Sequence, residues 1–169
     1  IDPPYLSDEY FALIRVAVEE AERLGILVWL YDEGGWPSGT AQGRVVEGHP
    51  ELRGWTLMVD GVGETVAEIE AGGQRLRFTA EVGPYPVDTL NPATTERFIA
   101  VTHERYAEAV GEFFGRTIPG IFTDEPSVGG EVGTARIPWT PRMLDEFERR
   151  RGYDLRPWLP ALLDRKSVV

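Results

Sequence analysis

The chain has no cysteine, one lysine, two histidines and four serines. Without cysteine, disulfide stapling and thiolate chemistry are excluded, and nothing marks the redox compartment. Two histidines argue against a His-based metal hydrolase. Four serines with no Gly-x-Ser-x-Gly elbow argue against an esterase. No apolar run approaches the roughly 20 residues that span a bilayer, and the opening Ile1-Asp2-Pro3-Pro4 does not read as a secretory signal. Positive charge is scarce too. Seventeen basic residues against 28 acidic ones leave a net charge of −11, which repels phosphates and disfavours nucleic acid and anionic membranes as partners. A neutral, polyhydroxylated substrate meets no such penalty.

What is present fits a globular domain: 169 residues, 42% hydrophobic and 11% aromatic. All basic residues but Lys166 are arginine, which suggests a GC-rich coding sequence. The final stretch, Asp164-Arg165-Lys166-Ser167-Val168-Val169, reads as a translated adapter and is set aside as a non-native tail. The chain opens without methionine and reaches an amphipathic helix within a few residues, so it is expected to begin inside a domain.

That helix is expected over residues 8–24. Ser7 is a plausible N-cap, Asp8 and Glu9 suit the positive end of the dipole, and Gly25 is the stop. Phe11, Ile14, Val18 and Ala21 form its buried stripe. The run Ile26-Leu27-Val28-Trp29-Leu30-Tyr31 has no alternation and reads as a strand buried on both faces. Residues 52–82 change character, with short β-rich runs separated by Gly turns, and read as an antiparallel insertion in a loop. A second helix starts at Asn91 and Pro92, buries Phe98, Thr102, Tyr106, Ala109 and Phe113, and closes at Gly115. Residues 118–123 form the next buried strand. A third helix begins at Thr140-Pro141, buries Leu144 and Phe147, and stops at Gly152. Strands alternating with helices imply parallel βα units, hence an α/β fold.

Acidic pairs sit in matching places. Asp32-Glu33 follows the first strand and Asp124-Glu125 the second. Active sites of parallel α/β folds gather beyond the carboxyl ends of strands. Neighbouring strands lie about 4.8 Å apart, which would put the carboxylates about 5–10 Å from one another, the range used in glycoside hydrolysis. Close carboxylates also separate one another's pKa values, so that one serves as acid while another stays ionised. The plainer reading of any one pair is a solvated loop acid or a helix cap; their repetition at equivalent positions favours chemistry. Trp36 and Trp139 offer flat apolar faces for sugar stacking, although a lone Trp is more often core. His103 lies mid-helix and reads as a surface or packing residue, and His49 has no companion. Gly61-Val62-Gly63 lacks the third Gly of a dinucleotide site, and no phosphate loop, zinc-protease or EF-hand motif occurs.

The stretch from Tyr5 to Phe11, then Trp29-Leu30-Tyr31-Asp32-Glu33-Gly34-Gly35-Trp36-Pro37-Ser38-Gly39, resembles the start of the catalytic barrel of glycoside hydrolase family 106, the bacterial α-L-rhamnosidases. Phe122-Thr123-Asp124-Glu125-Pro126 and Pro138-Trp139-Thr140-Pro141 resemble its later segments, so the likeness runs over about residues 5–163. One departure is Gln42, where relatives often carry Gly. The resemblance implies a TIM (β/α)8 barrel, of which residues 1–163 would be a part. It implies hydrolysis of a terminal α-L-rhamnosyl bond by an inverting mechanism with a pair of Glu residues. No cofactor is implied beyond calcium, which some members use, and a secreted or periplasmic location is possible. Carried onto this sequence, Glu125 and Glu33 are the catalytic candidates. Asp32 and Asp124 would orient them or bind sugar hydroxyls, and Trp36 and Trp139 would contact the carbohydrate substrate. With about two barrel strands, the chain is expected to expose sheet edges, to be poorly stable alone and to be catalytically silent. Rival readings are a non-catalytic carbohydrate-binding or structural module, and a metal-dependent hydrolase built on the acid cluster.

Overall fold

The computed structural model describes residues 2–128 and 136–163. In chain order these form α1 (Asp8–Leu24), β1 (Trp29–Tyr31), β2 (Trp55–Val59), β3 (Glu64–Ala71), β4 (Gln74–Val82), α2 (Pro92–Val101), α3 (His103–Val110), β5 (Gly120–Phe122), β6 (Ile137–Trp139) and α4 (Met143–Arg151), with short 3-10 turns between some of them. The chain divides into two compact units. The first is Ile1–Pro50 with Pro92–Ser127; the second is Glu51–Asn91 with Val128–Val169. The tail assigned to residues 164–169 lies outside the described residues. Among the described residues no helix is long and apolar enough to cross a membrane.

In the first unit, α1 has the expected bounds because its ends are written locally. Ser7 Oγ accepts from the Tyr10 amide at 3.1 Å, and Gly25 adopts φ +69°, a left-handed conformation that costs glycine little. Phe11, Val18 and Ala21 are buried along one face. The Phe11 ring meets Tyr106 of α3 edge-on at 5.3 Å. The single helix expected over residues 91–113 is instead broken at Thr102, with φ −119° and ψ −75°. The Thr102 hydroxyl donates back to the Phe98 carbonyl at 2.5 Å, a back-bond that bends helices.

β1 and β5 pair in parallel, Trp29 with Gly120 and Tyr31 with Phe122. Gly120 is needed there: a Cβ would meet the Trp29 ring at 2.8 Å. The expectation of a strand buried on both faces is corrected. Leu30 is buried, but Leu27 and Trp29 are each 63% exposed and Phe122 52%. Among the described residues the sheet of this unit has two strands, and one side of its apolar run is left exposed. The chain is thus a mixed helix–strand protein with small sheets, as an α/β reading requires.

The expected β insertion is more than a loop. β3 and β4 form a hairpin joined at Gly72-Gly73, β2 pairs antiparallel with the other side of β4, and β6 adds to the edge of β2 in the order β3-β4-β2-β6. Pro138 of β6 faces Thr56, and an edge is where a strand tolerates proline. Leu57, Phe78 and Ala80 pack with Trp139, Leu155 and Leu159 to make the core of the second unit. α4 packs on it through half-buried Leu144 and Phe147 and ends at left-handed Gly152.

Candidate active site

The parallel pairing of β1 with β5 fixes where the acids go. Tyr31 is level with Phe122, so Asp32 and Thr123 leave the strand pair side by side. The Asp32 amide still reaches the Phe122 carbonyl at 3.4 Å. Beyond this the two loops are tied together. Ser38 donates its amide to the Asp124 carbonyl at 2.9 Å, and its hydroxyl accepts from the Asp124 amide at 2.9 Å. Both acidic pairs therefore stand at one end of the strand pair.

Their environments differ sharply. Asp32 is fully buried. It accepts from Ser38 Oγ at 2.6 Å and from Thr123 Oγ1 at 2.6 Å, and its Oδ2 lies 3.1 Å from His103 Nε2. Burial alone would raise the Asp32 carboxyl. The hydrogen bonds from His103, Ser38 and Thr123 outweigh it and hold the group below the usual carboxylate range. An ionised Asp32 can only accept, so His103 Nε2 carries the proton in this pair. Of the two roles expected for Asp32, orienting its neighbours or binding sugar hydroxyls, so enclosed a group fits the first.

Glu33 is 4% exposed. One carboxylate oxygen accepts from the amides of Gly34 (3.0 Å) and Gln42 (2.7 Å). The other accepts from the amides of Thr40 (2.9 Å) and Ala41 (2.6 Å) and from the Thr40 hydroxyl (3.1 Å). Ala41 and Gln42 both have positive φ, +49° and +53°. Successive amides in such a conformation make a concave anion nest, and Glu33 is the anion that fills it. Gln42 thus holds a left-handed backbone that glycine would adopt at lower cost.

Asp124 is half-buried, while Glu125 is exposed and adopts φ +43°. Left-handed backbone is uncommon outside glycine and gathers at functional sites. Trp36 stands on the first loop and is 68% exposed. The Tyr31 hydroxyl donates to the carbonyl of Gly35, the residue before Trp36. Partial burial raises the Tyr31 hydroxyl pKa, Ser38 opposes this, and the charges of Asp124, Glu33 and Asp32 raise it further. Trp139 belongs to the second unit, where it is 4% exposed and packs in that unit's core, unlike the exposed Trp36.

The sequence assigns Ser38 and Thr123 no role and reads His103 as a surface or packing residue; in the structure all three bond the Asp32 carboxylate. His103 sits one residue past the buried Thr102 of the broken helix, with its ring edge-on to Phe98 at 5.5 Å. Its place beside the stripe Phe98, Thr102, Tyr106 was the one available signal. Below the site, Tyr106 donates to the Tyr31 carbonyl at 3.0 Å and accepts from Tyr10 at 2.7 Å. Burial pushes the Tyr106 hydroxyl far up, so it stays protonated. Calcium needs six to eight oxygen ligands. Asp32 and Glu33 are already engaged by protein donors, and among the described residues no three acids or histidines gather in a metal-binding group. The described residues alone do not fit such an ion.

The fold and site define an α/β protein with an acid cluster at the carboxyl end of a parallel strand pair. A family model described as alpha-L-rhamnosidase, glycoside hydrolase family 106, matches residues 71–168, more than half of the chain. The chain belongs to this family, and its function is therefore glycosidase-related, with a carbohydrate as the corresponding substrate class. The match takes in His103, Thr123, Asp124 and Glu125 and starts after the Asp32 loop, a shorter span than the likeness read along the sequence. No curated protein and no solved structure matches the chain.

Proposed function

We propose that the chain supplies part of the catalytic domain of a glycosidase that cleaves a terminal α-L-rhamnosyl or closely related bond. On this reading the first unit contributes two neighbouring βα units of a (β/α)8 barrel. The observation that carries it is the parallel β1–β5 pair, which delivers both acidic pairs to one strand end, where barrel enzymes keep their chemistry.

Within that cluster the labour divides by burial. Glu125 is exposed and is the acid/base candidate; half-buried Asp124 stands beside it. Trp36 is the stacking surface, exposed on the facing loop. Glu33 and Asp32 act as positioning residues, since their oxygens are taken up by protein donors. Inverting hydrolysis needs a second carboxyl about 6.5–9.5 Å from the first. In this reading that group is Asp124 or a carboxylate on another barrel strand.

The test is turnover of an aryl α-L-rhamnoside by a family member whose complete catalytic domain contains this segment. Replacing the residue matching Glu125 by Gln should lower kcat at least about 100-fold, as loss of a general acid or base does. The 169-residue chain alone should show no turnover. Unchanged turnover in the Gln variant would refute the assignment and favour a non-catalytic carbohydrate-binding module.

A further inference from the structure

The first unit also holds a cavity of about 290 Å³ whose lining is cationic. Arg44 enters it from the loop that follows the Glu33 nest, Arg97 from α2 and Arg105 from α3, while Leu6 and Val101 give it an apolar wall. One acid, the exposed Glu47, stands at its edge. Glu47 offsets at most one of these guanidinium groups, and Arg105 is balanced by Asp8 and Glu108, which leaves Arg44 and Arg97 to carry the excess positive charge.

The arginines are held rather than loose. Arg44 Nη2 donates to the Tyr5 carbonyl at 2.8 Å, and Arg97 Nε to the Val45 carbonyl at 3.1 Å. Both partners are neutral, so neither bond cancels a charge. Arg44 Nε is buried without an acceptor among the described residues, and a buried donor left unsatisfied is costly. Arg105 lies over the Phe11 ring at 5.1 Å and shares its charge with exposed Asp8 at 3.3 Å and Glu108 at 3.6 Å. Leu6 takes φ +62° where it lines the cavity, and backbone strain of this kind concentrates at ligand clamps. The preference for Arg over Lys carries no weight here, because the chain has a single lysine. Position and pairing carry the argument.

We infer that this cavity is an oxyanion site, taking a phosphate or carboxylate borne on a ligand no larger than about one sugar ring. Guanidinium forks match both groups bidentately. The volume of about 290 Å³ lies just at the lower end of small-ligand sites, which start at about 300 Å³, and suits a group of about one sugar ring. The inference stands on this cavity and does not depend on the glycosidase reading.

Isothermal titration of the 169-residue chain at constant ionic strength tests it, with inorganic phosphate, glucuronate and glucose as probes. At least one of the two anions should bind, and glucose should not. Arg97→Gln should weaken that binding about tenfold or more. If circular dichroism shows that Arg97→Gln does not fold, Arg105→Gln takes its place with the same expected loss. Preference for glucuronate identifies an acidic sugar as the source of the group, and preference for phosphate identifies a phosphate ester. Absence of binding by both anions at about 10 mM, or equal affinity in the parent and the arginine variants, overturns the inference.

Discussion

Replacing Glu33 by Gln separates a loop-organising carboxylate from a catalytic one. Five donors converge on the two Glu33 oxygens, four of them backbone amides. A Gln side chain keeps one oxygen and turns an NH2 group toward the remaining donors. If its oxygen faces Thr40 and Ala41, the amides of Gly34 and Gln42 lose their acceptor; if it faces the other way, Thr40 and Ala41 lose theirs. Either rotamer strands at least two buried or half-buried amides, at about 1–3 kcal/mol each. The sum, about 2–6 kcal/mol, falls on a loop that carries two left-handed non-glycine residues, Ala41 and Gln42, which the nest must hold against their own preference.

Native-state amide exchange followed residue by residue is the assay. Protection at two or more of residues 34, 40, 41 and 42 should drop at least about 30-fold, the equivalent of the lower bound of 2 kcal/mol. Protection along α1 should change little, because its amides close their own ladder. Full protection of residues 34 and 40–42 in Glu33→Gln would refute the nest and reopen Glu33 as a free acid or base.

Other outcomes follow from the same contacts. Ser38→Ala removes the hydroxyl that joins Asp32 to the Asp124 amide and should destabilise the first unit by about 2–3 kcal/mol, read by urea denaturation, with lost exchange protection at Asp124. Trp139→Ala empties a core position and should cost about 3–5 kcal/mol, read as a lower Tm; an unchanged Tm would return Trp139 to the surface. The Asp32 carboxyl is depressed in the folded state, so its contribution is fully present above about pH 4 and fades as pH falls through the depressed value. Asp88 behaves oppositely: burial, only partly offset by the Leu90 amide and its other partners, raises its carboxyl. Its contribution is present at low pH and lost as pH climbs through the raised value. Acidification below pH 4 should therefore loosen residues 38 and 124 while residues around 88–90 hold, and equal loss in both would refute the two assignments.

Features written in neighbouring residues were legible. The bounds of α1 follow from a serine cap, a periodic stripe and a glycine stop within its own span. The strand ends bearing Asp32 and Asp124 could be placed because apolar runs stop abruptly at charge. Features set by distant partners were not legible. Exposure of Leu27 and Trp29 depends on what lies over a strand, which an apolar run does not encode. β6 is three residues long, contains Pro138, and is defined by β2, about eighty residues earlier. The helix break at Thr102 arises from one hydroxyl choosing a carbonyl a turn back. Glu33 and Glu125 look alike as letters following an aspartate. One meets amides 7–9 positions downstream and the other meets water.

That divergence is what gives the cluster a working logic. A left-handed Glu125 costs on the order of 1–3 kcal/mol unless its surroundings hold it. The preceding residue supplies the hold: Asp124 is pinned through both its amide and its carbonyl by Ser38. Ser38 in turn is anchored by the buried Asp32, which also binds Thr123 on the incoming side. The first loop thus reaches across to set the conformation of the second just where the exposed carboxylate begins. Were Asp32 to point at solvent like Glu125, the main chain at residue 124 would lose that hold and the strained conformer would relax. Burial of one acid and exposure of the other are therefore parts of a single arrangement. Coupling of this kind predicts that changes at Ser38 or Asp32 alter the behaviour of Glu125 without touching it.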